Sequence, residues 1–267
     1  MTRTLKIFAV VTVGLLLGIN TSHAQTLGTA GFEESEGYPG SGGGINGVVD
    51  ADIGTWSAGG NVTDIAIFRD GAQSALGDGT LTLDLDAATK AAIQAATGDI
   101  RISFSMYWPD GADMRMNGFG GTNNTMTGEL WQFRIKSNGD IHFQTDLLGN
   151  DTGAQNDIDT PATDPTNQWV DFMADIDLSG SIGKFKSLQY RVASDPFKEV
   201  LSTVSQFRDR NEGTHINRLA FNNDNNQGDG GARFDNIVIG VVPEPSTVLL
   251  MVVGLLGLVS CRRRRSH

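Results

Sequence analysis

The chain has 267 residues, 20 of them basic and 31 acidic, for a net charge of −11. That excess of negative charge argues against nucleic acid and anionic lipid as partners. The single cysteine, Cys261, lies close to the C-terminus, so the body of the chain holds no disulfide and does no thiol chemistry.

The first 24 residues read as a secretory leader. Arg3 and Lys6 give it a positive start, and residues 7–19 are apolar apart from Thr12, Gly14 and Gly18. Ser22-His23-Ala24 offers small residues where a signal peptidase cuts, which places cleavage after Ala24. The apolar run is too short to span a bilayer as a permanent anchor.

Residues 25–62 are rich in Gly, Ser and Asn, and Tyr38-Pro39-Gly40-Ser41 marks a turn. A period of two then dominates. Leu81, Leu83 and Leu85 alternate with Thr82 and Asp84. Ile100, Ile102, Phe104, Met106 and Trp108 alternate with Arg101, Ser103, Ser105 and Tyr107, which predicts a half-buried strand. Trp131, Phe133 and Ile135 alternate with Gln132 and Arg134. Asn138-Gly139 is the preferred tight hairpin turn, and Ile141 and Phe143 begin the return strand. Further strands are expected at residues 169–177, 188–192, 216–221 and 233–239.

Two helices are expected among these strands. Residues 87–96 are alanine-rich, capped by Asp86 and stopped by Gly98. Residues 196–207 place Phe197, Val200, Leu201 and Val204 on one face, with Asp195 as cap and Pro196 at the first helical position. Residues 109–128 show no element and read as a lid, a rim or mobile surface. Eight or more strands with one or two short helices predict an all-β, antiparallel two-sheet sandwich spanning residues 25–240. A signal helix would precede it and a hydrophobic helix would follow.

The tail has three parts: Pro243-Glu244-Pro245, an apolar run over residues 248–259, and Arg262, Arg263, Arg264 and Arg265. The arginines would stay cytoplasmic. The run covers about 18 Å as a helix against a hydrocarbon core of about 30 Å, a length suited to processing rather than lasting anchorage. A plain membrane anchor and a lipid-anchor signal are the rival readings. Removing leader and tail leaves 14 basic and 30 acidic residues, a net charge of −16. Good solubility or cation binding would account for it.

This order of parts at residues 243–267 resembles the PEP-CTERM sorting signal. The resemblance implies recognition of Pro243, Glu244 and Pro245 by an exosortase, a membrane-embedded cysteine transpeptidase. It also implies retention by the four arginines and export to the envelope, outer surface or extracellular matrix of a Gram-negative bacterium that makes extracellular polysaccharide.

A second resemblance lies in the body. Gly31-Phe32-Glu33-Glu34 opens it, Gln168-Trp169-Val170-Asp171-Phe172 lies in the middle, and Arg233-Phe234-Asp235-Asn236-Ile237-Val238-Ile239 closes it. The set is similar to concanavalin A-like and laminin-G-like jelly-roll domains, in which the first and last strands pair. Glu33 or Glu34 would then lie near Asp235 and could hold a structural Ca2+, which needs six to eight oxygens. The alternative is that Asp235 only caps a turn.

Sugar sites combine an aromatic face with amide and carboxylate partners. Tyr38, Trp56, Trp108, Trp131 and Trp169 are aromatic candidates, with the last three in phase with the core. Tyr107, Gln132 and Arg134 lie on the polar phase, where a binding groove would form. Asn222-Asn223-Asp224-Asn225-Asn226-Gln227-Gly228-Asp229 is oxygen-rich, but it lacks the glycine and glutamate of an EF-hand and reads as a flexible turn.

Hydrolysis is poorly supported, because Glu129, Glu199 and Glu212 each stand alone, and a retaining glycosidase needs paired carboxylates. Asp140-Ile141-His142 faintly resembles a Gln-Ile-His strand of polysaccharide lyases, without the Gln. The sequence therefore predicts an exported, exosortase-sorted surface protein, not an enzyme, whose sandwich associates with extracellular polysaccharide. A divergent hydrolase or lyase, or a ligand-free matrix protein, is the alternative.

Overall fold

The computed structural model describes residues 25–40, 42–58, 62–64, 68–77, 80–120, 127–144, 155–200, 205–207, 215–223 and 232–242. The signal helix, the hydrophobic tail helix, the sorting motif, the arginine block and most of the Asn222-to-Asp229 loop lie outside them. Among the described residues no helix is long and apolar enough to cross a membrane.

Alternation of apolar and polar residues sends one set of side chains into the core and the other outward. The strands are β1 (Gln25–Ala30), β2 (Val49–Asp50), β3 (Gly54–Ala58), β4 (Val62–Asp64), β5 (Ser74–Gly77) and β6 (Thr80–Leu85). Then follow β7 (Asp99–Trp108), β8 (Met114–Gly120), β9 (Thr127–Ile135), β10 (Ile141–Gln144), β11 (Gln155–Asp159) and β12 (Gln168–Asp177). The last are β13 (Lys184–Val192), β14 (Lys198–Glu199), β15 (Ser205–Gln206), β16 (Ile216–Asn223) and β17 (Ala232–Val242).

They form two antiparallel sheets, as the sequence predicts. One runs β14-β13-β12-β7-β17-β5-β4, with β1 also on β17 and β15 also on β13; the other runs β11-β10-β9-β8-β16-β6-β3-β2. The expected pairing of first and last strands is present, inside the compact unit Thr26–Val241. The expected first helix is α1 (Ala87–Ala95), with the Asp86 carboxylate accepting the Thr89 N–H at 2.6 Å.

Aromatic rings lock the sheets together. Phe104 of β7 stacks on Phe172 of β12 at 5.2 Å and meets Phe133 of β9 at 5.9 Å and Phe221 of β16 at 5.8 Å across the core. Trp131 of β9 packs on Phe185 and Phe207 at 5.3 and 4.9 Å. Burying each such ring contributes about 1.5–3 kcal/mol, and each ring pair about 0.5–1.5 kcal/mol more.

Three expectations fail. The helix expected over residues 196–207 is absent from the described residues of that span, 196–200 and 205–207: Lys198 and Glu199 pair with Tyr190 and Gln189, Ser205 and Gln206 pair with Phe185 and Lys184, and Phe207 is buried. The open edge of β13 supplies backbone partners for this segment, and Glu199 adds side-chain bonds to the Leu188 N–H at 2.9 Å and the Ser187 hydroxyl at 2.5 Å. Local helical spacing loses to that tertiary pairing.

Residues 109–128 are not structureless, because β8 runs through them, with Met114, Met116, Gly118 and Gly120 facing the core. The third failure is Trp169. It stands outward beside Tyr107 (5.6 Å, edge to face), since Val170, Phe172, Ala174 and Ile176 take the inward phase.

Candidate functional site

The predicted trio Glu33, Glu34 and Asp235 comes together only in part. β17 pairs with β5 over Ala232–Phe234 and also with β1, and Asp235 lies just past the β5 pairing. There Asn236 takes φ 51°. Asp235 is 0% exposed and accepts the N–H groups of Arg69 (2.9 Å), Asp70 (3.4 Å) and Asn236 (2.8 Å).

Glu33 holds the other end of the same loop, accepting the N–H groups of Ala72 at 2.7 Å and Gln73 at 3.1 Å. Gly71, at φ +74°, allows this approach, since a Cβ there would fall 2.0 Å from Glu33 Oε1. Glu34 turns instead toward Gly40. Burial, with the Glu33 charge adding to it, pushes the Asp235 carboxyl up to about 7. The two carboxylates are thus staples for the Arg69-to-Gln73 loop, and among the described residues no three His, Cys, Asp or Glu side chains converge as for a metal.

Tyr107, Gln132 and Arg134 do not share a site. Tyr107 stands on the outer face of the nine-stranded sheet; Gln132 and Arg134 stand on the outer face of the eight-stranded sheet. Both sets share the polar phase, but the phase does not say which sheet a strand joins. Of the other aromatic candidates, Trp56 and Tyr38 are core, with the indole N–H donating to the Tyr38 hydroxyl and that hydroxyl to Asp50. Trp108 and Trp131 are core as expected.

On the eight-stranded sheet, His142 lies opposite Arg134 and Arg134 opposite Arg115, while Gln144 lies opposite Gln132 and Gln132 opposite Asn117. Arg134 grips Asp113 through two nitrogens. Asn117 donates to Glu129 at 2.6 Å. Gln132, His142 and Gln144 are only 5%, 1% and 7% exposed, so this outward row is shielded from water.

The nine-stranded sheet carries the open site. Ser105, Asp171 and Arg191 lie side by side on β7, β12 and β13. Arg69, brought in by the stapled loop, donates to Asp171 through Nε at 3.0 Å and Nη2 at 2.8 Å. Arg191 Nε donates at 2.7 Å and the Ser105 hydroxyl at 2.8 Å. Burial is the largest influence on Asp171 and would raise its carboxyl, but hydrogen bonds from Arg69, Arg191 and Ser105 together hold it below its ordinary value.

Phe197, 40% exposed, lies under the Arg191 guanidinium at 4.6 Å. These groups line a cleft of about 320 Å³. One row along the sheet, Arg233 lies over Tyr107 at 5.4 Å, beside Trp169. Sequence reasoning missed this cleft. The polar phase of Ser105 is legible in the alternation of β7, but an inward Trp169 would put Asp171 in the core phase, Arg69 reaches both from a loop, and Phe197 falls on one face of the helix expected over residues 196–207.

Residues 241–265 match the family model of the PEP-CTERM protein-sorting motif. The chain thus carries the address of an exported protein sorted to the cell envelope. No curated protein sequence matches the chain.

Among solved structures it is similar to the botulinum neurotoxin serotype G binding domain, with 10% identity and a TM-score of 0.45, covering 87% of this chain and 51% of that one. It is also similar to the carbohydrate esterase vb_24B_21 from Shiga toxin-encoding bacteriophage phi24B, with 12% identity and a TM-score of 0.47, covering 82% and 100%. A third is the PL-14 alginate lyase from Aplysia kurodai, with 8% identity and a TM-score of 0.36, covering 68% and 87%. The chain spans about half the length of the neurotoxin domain.

Proposed function

We propose that the sandwich associates with extracellular polysaccharide through the cleft on the outer face of its nine-stranded sheet. The observation that carries this reading is the juxtaposition of Phe197 with the Arg69–Asp171–Arg191–Ser105 network. A sugar packs its C–H face on a ring and needs fixed hydrogen-bonding groups at its edge. A signal peptidase would cut after Ala24, and an exosortase would recognise Pro243, Glu244 and Pro245. Delivery to the outer surface or matrix of a Gram-negative bacterium would place the cleft among such polymers.

A structural Ca2+ at Glu33 and Asp235 belongs to this reading. A buried carboxylate beside a second negative charge is relieved by a proton or a cation, and calcium would draw its remaining oxygens from main chain and water.

The test is a pull-down panel of neutral and acidic polysaccharides with the purified protein, run in calcium and in chelator. Retention on a polymer, lost in Phe197→Ala, supports the reading; no retention on any polymer in either condition refutes it. Melting that calcium leaves unshifted would count against the metal site.

The shielded row on the opposite sheet favours one second reading, a polysaccharide-active enzyme. Chain cutting of a labelled glycan, abolished in His142→Ala while binding persists, would move the assignment there.

A further inference from the structure

Phe197 borders two depressions. On one side is the cleft over Asp171. On the other is a depression of about 350 Å³ lined by Pro161, Tyr190, Val192 and Pro196, and Arg191 and Phe197 belong to both.

The two differ in chemistry. In the first, Arg69, Arg191 and Ser105 donate to Asp171, and Asp70, Ser103 and Asn236 add further polar surface beside them. In the second the polar groups are also turned on one another: Thr163 donates to Asp195 at 2.6 Å, while Tyr190 and Lys198 both reach Asp159. What remains there for a ligand is aliphatic and proline surface.

The edge of β13 is covered at this point: β14 pairs with it, and the Val200 N–H donates to the Leu188 carbonyl at 2.9 Å. The edge that remains is the two-residue β14, which offers an extended peptide little of the main-chain pairing that gives such ligands their affinity. A glycan needs no such edge, since its affinity comes from ring faces and hydroxyl partners.

We propose that the two depressions are consecutive subsites of one groove, which takes a stretch of at least two sugars of a linear glycan laid across Phe197. The subsite over Asp171 fixes hydroxyls, and the proline-walled subsite receives the apolar face of the next ring. This deepens the polysaccharide reading above and rests on it.

The probe is the polymer retained in the pull-down panel, hydrolysed to a ladder of about one to eight sugars and titrated calorimetrically. Affinity should rise about tenfold or more from one sugar to three and then level off, as the second subsite fills. Ala162→Trp, which fills the proline-walled depression, should flatten that rise and leave the single sugar unchanged. Phe197→Ala should weaken every oligomer; the side chain is exposed enough for the fold to persist, and an unchanged melting temperature checks this.

Equal affinity along the ladder, or a ladder that Ala162→Trp leaves steep, would overturn the two-subsite groove while the single cleft stands. Competition by a proline-rich peptide in place of the oligomers would overturn the choice of occupant. Failure of the panel itself would sink the polysaccharide reading first.

Discussion

Replacing Asp235 by Asn should change how stability depends on pH, and the structure gives the size of the effect. In the unfolded chain this carboxyl titrates near its ordinary value of 3.8; in the fold it titrates at about 7, first because it is buried. Between those values the folded protein holds a proton that the unfolded chain has released. Stability therefore falls by about 1.4 kcal/mol per pH unit as pH rises through this window, about 4 kcal/mol in all, and levels off above about pH 7.

The amide introduced by Asp235→Asn would carry no charge at any pH, but its single oxygen cannot serve all three N–H groups that the Asp235 carboxylate accepts, at a cost of about 1–3 kcal/mol. Since about 1.7 of that 4 kcal/mol is already lost by pH 5, the substitution should lie within about 1.5 kcal/mol of neutral there and be stabilising by about 1–3 kcal/mol at pH 8. Urea denaturation in chelator at pH 5, 6, 7 and 8 measures this, read as the transition midpoint at constant slope. Asp171, held low by its arginines, contributes the opposite trend only at more acid pH. Parallel pH profiles for the parent and Asp235→Asn would refute the assignment of a raised carboxyl to this residue.

Two further outcomes follow from packing and charge. Gly183→Ala would place a Cβ 2.2 Å from the Phe207 ring and drive it into Trp131 and Phe185. A loss of about 1–3 kcal/mol is expected, and a melting temperature equal to that of the parent would show that β15 and Phe207 dock otherwise. Asp171→Ala should cost about 2–3 kcal/mol, below the range for fully buried pairs because Arg69 and Arg191 are 25% and 34% exposed. It should also abolish polymer retention, so full retention would place the glycan elsewhere.

The core strands were legible because their alternation is unbroken: β7 from Ile100 to Trp108, and β9 from Trp131 to Ile135. β8 was not, because its inward positions include Gly118 and Gly120. These glycines are small because a partner fills their space: a Cβ on Gly118 would meet the Trp131 ring at 2.1 Å. Only the folded pairing shows that. The edge segment of residues 196–207 was misread for a related reason. Its apolar spacing suits a helix, and nothing local announces that β13 has an edge to fill.

The candidate site divided in the same way. Glu33 and Asp235 were found through the pairing of the terminal strands, but their common partner, the Arg69-to-Gln73 loop, has no sequence signature. Gln132, Arg134 and Tyr107 shared a phase without sharing a sheet.

The place of β17 also sets the order of events during export. The last strand of the domain lies in the middle of its sheet, between β7 and β5, rather than at an edge. Until residue 242 has crossed the membrane, the nine-stranded sheet is split, with the hydrogen-bonding edges of β7 and β5 facing a gap and β1 without its partner. Non-local closure of this kind is slow and must await the distant segment. The next residues are Pro243-Glu244-Pro245. The sorting motif thus emerges as the sheet becomes able to close, so a chain truncated before β17 would be left both unfolded and unaddressed.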